Sequence, residues 1–188
     1  MKNTPIAALL GTMLCIPAIA ADSYTIDPRH THPTYEIDHF GWSTQRGRFD
    51  NVNGTVVMDR AAKTGSVQVT IDVTSVSSGV AKLDEHLKSE DFFYAARYPT
   101  MSFKSNKMIF RGDTPVAVEG EFTLRGVTKP LRLTIDRFHC APNPFAKKEA
   151  CGADVVATIK RSDFGVDAYL PGLSDQVRLL INVEAFKD

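Results

Sequence analysis

The chain has no surplus charge of either sign: 22 Lys and Arg stand against 22 Asp and Glu in 188 residues. There is therefore no basic excess for nucleic acid or an anionic lipid surface. Cysteine is scarce, with three residues, which excludes a cysteine-rich metal scaffold. Glycine-rich phosphate loops are missing, and neither Ser162-Asp163 nor Ser174-Asp175 sits in a Gly-x-Ser-x-Gly turn. No repeat, low-complexity tract or linker divides the chain, so one domain is expected.

The one long apolar run is at the start. Lys2 precedes Ile6 to Ile19, and Ala18-Ile19-Ala20 has the small-x-small pattern of a cleavage site. The run is short for a membrane span. Residues 1–20 thus read as a cleaved secretory leader and residues 21–188 as the exported domain, which places the protein in the periplasm. Cys15 belongs to the leader. The mature chain keeps Cys140 and Cys151, an even pair in an oxidising compartment, which reads as a disulfide. Spacing alone leaves two free thiols open.

What the sequence has in quantity is alternation. Val67, Val69, Ile71 and Val73 alternate with Gln68, Thr70 and Asp72, the rhythm of a strand with one oily face. Similar runs include Tyr35, Ile37 and His39; Val56 and Met58; Val116, Val118, Phe122 and Leu124; and Leu131, Leu133 and Ile135. Val155, Ala157 and Ile159 follow, then Val177, Leu179, Ile181 and Val183. Met101 and Phe103 have the opposite parity to Met108 and Phe110, so a bulge is expected near Ser105. The count is about eight strands, an all-β chain that must close over a shared interior. One segment breaks the rhythm. The Leu83–Leu87 step suits a helix, expected within Ala81 to Arg97 and ended by Tyr98-Pro99.

No nucleophile, base or metal set emerges, and no catalytic residue or cofactor is expected. His30-x-His32 is a workable metal pair without a third ligand at a telling spacing. Some polar residues fall in phase with the oily face: His39, Arg137 and Arg161, each where its run ends. The plain reading is the rim of a barrel. The sharper one is that His39 and Arg161 mark a polar mouth, since a charge at an inward position must be paired or wet. Asp84 and His86, close to Phe92 and Phe93, could belong to the same opening or to a solvated helix face.

The sequence resembles the YceI-like family of exported polyisoprenoid-binding proteins. The likeness rests on Tyr24-Thr25-Ile26-Asp27 with His30, on Lys82-Leu83-Asp84-Glu85-His86-Leu87-Lys88-Ser89 with Asp91-Phe92-Phe93, and on Tyr98-Pro99-Thr100. It continues in Leu124 to Pro130, Arg161-Ser162-Asp163-Phe164-Gly165 and Ser174 to Val177. The resemblance implies an eight-stranded antiparallel, lipocalin-like barrel with one helix, holding a long isoprenoid lipid such as a polyprenyl phosphate or a quinone tail. The Cys140–Cys151 loop looks like an addition to the family pattern. The residues expected to line the cavity or its mouth are Tyr35, Ile37, His39, Val67, Val69, Ile71, Asp84, His86, Phe92, Phe103, Phe122, Ile159, Arg161, Phe164, Leu179 and Ile181. A carrier of such a lipid implies transient contact with a membrane or a membrane protein. No nucleic-acid partner is expected, and a homodimer remains open. Two other function classes stay in view: an enzyme acting on a bound lipid or quinone through Asp84, His86 or Arg161, and a packed barrel acting as a stress-related interaction module.

Overall fold

The alternation of Val67, Val69 and Ile71 falls on a strand, and its oily side chains turn to one interior. The computed structural model describes residues 21–188, so the expected leader lies outside the described residues. The strands are β1 (Asp22–Ile26), β2 (His32–His39), β3 (Ser43–Phe49), β4 (Val52–Asp59), β5 (Thr64–Asp72) and β6 (Val76–Ser77). After helix α1 (Ala81–Lys88) come β7 (Thr100–Arg111), β8 (Thr114–Leu124), β9 (Val127–Pro142), β10 (Glu149–Lys160) and β11 (Leu173–Lys187). Every pairing is antiparallel, and β1 against β11 closes the ring.

These eleven segments make eight staves. β1 and β2 lie in line along β11, interrupted at residues 27–31. β3 and β4 lie in line beside them, interrupted at Asp50 and Asn51. β5 and β6 are split by a 3-10 turn, Val73–Ser75, whose first amides Asp72 organises by accepting from Thr74. The barrel is thus an up-and-down meander of eight staves, the first three of them jointed.

Parity slips have local causes. At Ser105 the register with β8 shifts, and the Ser105 hydroxyl donates to the Glu119 carbonyl at 2.5 Å while accepting from Lys107 N at 2.9 Å. A second shift was not legible. Ile135 faces Val155 but Arg137 faces Asp154, so Asp136 is an extra residue. Arg137, expected inward, is turned to solvent 3.8 Å from Asp154, and Phe138 takes the inward place. The helix is also shorter than expected. It stops at Lys88, where Ser89 is extended, and Ser89 O then accepts from Phe92 N and Tyr94 N. The chain goes on in turns, which lets Phe92 pack in the core with Phe93 against it.

The two ends differ. At the helix end, Leu87, Phe92 and Ala95 pack with Phe49, Val76, Phe122 and Phe164. At the disulfide end, Tyr24, Met58 and Cys151 pack with Phe110 and Phe138, and the Arg60 guanidinium lies 5.4 Å from the Phe138 ring centre.

Candidate functional site

Inward side chains are not equally covered. Val52, Ile71, Phe103, Val118 and Phe122 are buried. Val56 on β4, Val67 and Val69 on β5, Met108 on β7, and Leu131, Leu133, Ile135, Leu179, Ile181 and Val183 on β9 and β11 also line the interior but are only half-buried. What they face is an internal cavity of about 160 Å³.

The wall is apolar. Among the described residues that line it, only Tyr24 and Thr31 carry a hydroxyl. Both are committed: Tyr24 donates to Glu149 at 2.6 Å, and Thr31 donates to the Glu184 carbonyl at 3.2 Å and accepts from its amide at 3.1 Å. Burial, helped by Glu149, pushes the Tyr24 phenol above its ordinary value. A guest would find no free donor or acceptor inside, so a hydrocarbon strips no wall group of water it needs, whereas a buried polar group would go unpaired.

Seven of the sixteen expected residues line this cavity: Val67, Val69, Ile71, Phe103, Phe122, Leu179 and Ile181. Tyr35, Phe92, Ile159 and Phe164 belong to the packing of the helix end. Tyr35 sits opposite Gly47, where a Cβ would run into its ring, and has Phe49 and Phe93 at 6.2 and 6.3 Å. Burial and the charge of Asp84 push its phenol up to about 12. Ile37 is half-buried on β2, opposite Val177 and Gln45. His39 stands edge-on to Phe40 (4.9 Å) and Trp42 (5.9 Å) beside the β2–β3 turn.

The charged candidates gather at the helix end without forming one constellation. Asp84 accepts from the Ser78 amide and hydroxyl, each at 2.6 Å, which ties down the approach to α1 and lowers its pKa. His86 reaches Asp91 at 3.2 Å and the Tyr169 hydroxyl at 3.4 Å. Arg161 is only 4% exposed, and its guanidinium donates to the carbonyls of Ser174, Val166 and Leu173 at 2.8–3.0 Å. Those bonds lash the end of β10 to the start of β11 and to the loop before it. Lining residues left out of the expected set include Leu131, Leu133 and Ile135, whose alternation was available, and Phe138, which the Asp136 bulge concealed. Cys140 and Cys151 form a disulfide across β9 and β10, 1.96 Å between sulfurs. His30 Nδ1 lies 2.8 Å from Asp27, and no cluster of three metal-ligating side chains occurs among the described residues.

The comparisons agree with this geometry. The family model for the YceI-like domain matches residues 24–185. A UPF0312 protein of Pseudomonas aeruginosa is 34% identical over 192 residues, covering 100% of this chain and 99% of its own. One from Vibrio cholerae is 32% identical over 188 residues, covering 98% of each. Among solved structures, BcnA of Burkholderia cenocepacia superposes with a TM-score of 0.71 at 25% identity, over 85% of this chain and 98% of its own. The Campylobacter jejuni YceI protein gives 0.69 at 31% identity, over 80% and 90%. A polyisoprenoid-binding domain from Saccharophagus degradans gives 0.64 over 88% and 98%; at 15% identity the likeness is one of fold.

Proposed function

We propose that this protein, which belongs to the YceI-like family, binds the tail of a long isoprenoid lipid inside its barrel and carries or stores it in the periplasm. The observation that supports this reading is the cavity wall: half-buried aliphatic side chains on β9 and β11, with both lining hydroxyls already bonded. Such a wall selects for hydrocarbon and rejects polar guests. Burying on the order of 20 methylene equivalents at ~0.8 kcal/mol each gives roughly 16 kcal/mol gross. Ordering the tail and losing its free motion offset a large part. The surplus sustains binding without charged clamps in the interior. The role is carriage, not turnover: His86 and Arg161 are engaged with neighbouring groups at the helix end.

The test is an organic extract of the purified protein read by mass spectrometry, followed by titration of emptied protein with polyprenyl lipids. An isoprenoid in the extract, or saturable uptake of an added one, is expected. An empty extract together with no uptake overturns the reading.

A further inference from the structure

β9 and β10 part company halfway along the barrel. Their ladder runs from Glu149–Pro142 to Val156–Thr134 and stops there. β10 goes on to Lys160 paired with β11 alone. β9 begins at Val127 and is paired over that stretch with β8 alone. Residues 157–160 thus have no strand partner on the β9 side, and residues 127–133 have none on the β10 side. Pro130 falls on this free edge, the place in a sheet where a residue without an N–H is tolerated.

One side of the gap borders the cavity. Leu131 and Leu133 form that lip and line the cavity; Ala157 and Ile159, in phase with the lining residue Val155, form the other, with Ile159 packed toward the helix end. All four are half-buried. The barrel ends offer a poorer route. Phe49, Phe92 and Phe164 fill the helix end, and the Tyr24–Glu149 bond with the Arg60–Phe138 stack covers the other. A flexible tail can pass sideways between two unpaired strands without breaking a ladder bond.

One cation stands at this gap in phase with its oily lip. Leu133 lies opposite Val118, Leu131 opposite Gly120 and Lys129 opposite Phe122, so Lys129 shares their inward parity, yet it is exposed. The neighbouring cations Lys107 and Arg132 are both held by Glu119. Lys129 has no carboxylate partner among the described residues. We propose that the gap between β9 and β10 is the door through which the tail enters, and that Lys129 holds an anionic headgroup, a phosphate or diphosphate, at its sill. This rests on the lipid-binding reading and narrows it. A headgroup must stay outside a wall with no free donors, and an ammonium gives a phosphate a charge-assisted hydrogen bond that a neutral quinone carbonyl cannot match.

Two experiments test it on the purified protein. In the first, Kd is measured for farnesyl phosphate and for farnesol. The wild type is expected to prefer the phosphate by about tenfold, the range of a charge-assisted bond. Lys129→Gln should bring the two Kd values together by weakening the phosphate alone, and Lys129→Arg should keep the preference. In the second, Arg132→Cys and Thr158→Cys are combined, the two positions that would face each other if the ladder continued past Val156–Thr134. Joining them with a short bismaleimide should slow uptake at least tenfold relative to the same variant left unjoined, with the melting temperature not lowered. An unchanged phosphate preference in Lys129→Gln, or an unchanged uptake rate after joining, overturns the door and its cation while leaving lipid binding standing. A wild type that binds neither compound, nor any longer isoprenoid, overturns the function reading and this one with it.

Discussion

Replacing Leu179 by tryptophan separates an empty interior from a packed one. Leu179 points inward from β11, opposite Ala157 on one side and Tyr35 on the other, and is half-buried because it borders the cavity. An indole there enters existing space, so the stability change should stay within about 1 kcal/mol. The matched control is Val76→Phe on β6, where the side chain is buried among core neighbours away from the cavity. Overpacking there should cost roughly 1–3 kcal/mol. Binding should respond in the opposite order. The indole displaces about three methylene equivalents of tail at ~0.8 kcal/mol each. The loss of about 2.4 kcal/mol is roughly 50-fold in Kd. Urea unfolding gives the stabilities, and titration with a fluorescent polyprenyl probe gives the affinities. If Leu179→Trp destabilises as much as Val76→Phe, the interior is filled by its own side chains. If it is neutral and Kd does not move, the tail lies elsewhere.

Three further outcomes are expected. Asp27 is buried, which pushes its carboxyl up, but hydrogen bonds from Arg29 and His30 outweigh this and hold it at about 2. A carboxyl held below its unfolded value stabilises fully above about pH 4 and loses that contribution as pH falls toward 2, at most about 2 kcal/mol. Urea midpoints of Asp27→Asn should therefore be lower than wild type at pH 7 and converge with it near pH 2; parallel profiles would refute this. Arg161→Ala leaves three backbone carbonyls without their donor. It should lower stability by about 3 kcal/mol or more in thermal unfolding, with the probe Kd of the folded fraction unchanged; weaker binding at unchanged stability would point to a ligand contact instead. Gly47→Ala places a Cβ where the Tyr35 ring lies, so the ring must move. A loss of roughly 1–3 kcal/mol is expected, largely recovered in the double variant with Tyr35→Val.

Much of the barrel was legible because strand pairing imposes a period of two on any stave with one oily face. The slip between Phe103 and Met108 was visible because apolar residues flank it on both sides. The slip at Asp136 was not, because the run Leu131, Leu133, Ile135 ends where the extra residue enters, and Arg137 then mimics an inward charge. Arg161 falls at an inward parity and is buried, but its partners are carbonyls of residues 166, 173 and 174, which the loop before β11 brings back to it. A backbone acceptor leaves no trace in the identity of the residue that supplies it. The end of the β9–β10 ladder is hidden for a similar reason, since alternation reports which face a side chain takes and not whether a neighbouring strand is present. Pro130 was the single local sign.

The jointed staves give the barrel an uneven stiffness. The interruptions at residues 27–31, 50–51 and 73–75 fall on three adjacent staves, while β7 to β11 run unbroken for 11 to 16 residues. A cylinder with three hinged planks and five solid ones yields on the hinged side when something thick is pushed into it. Guests of different girth would then be met by bending at the joints, with the solid wall on the far side keeping its shape. Amide exchange should register this as loss of protection at the joints ahead of the mid-strand amides of β8 and β10.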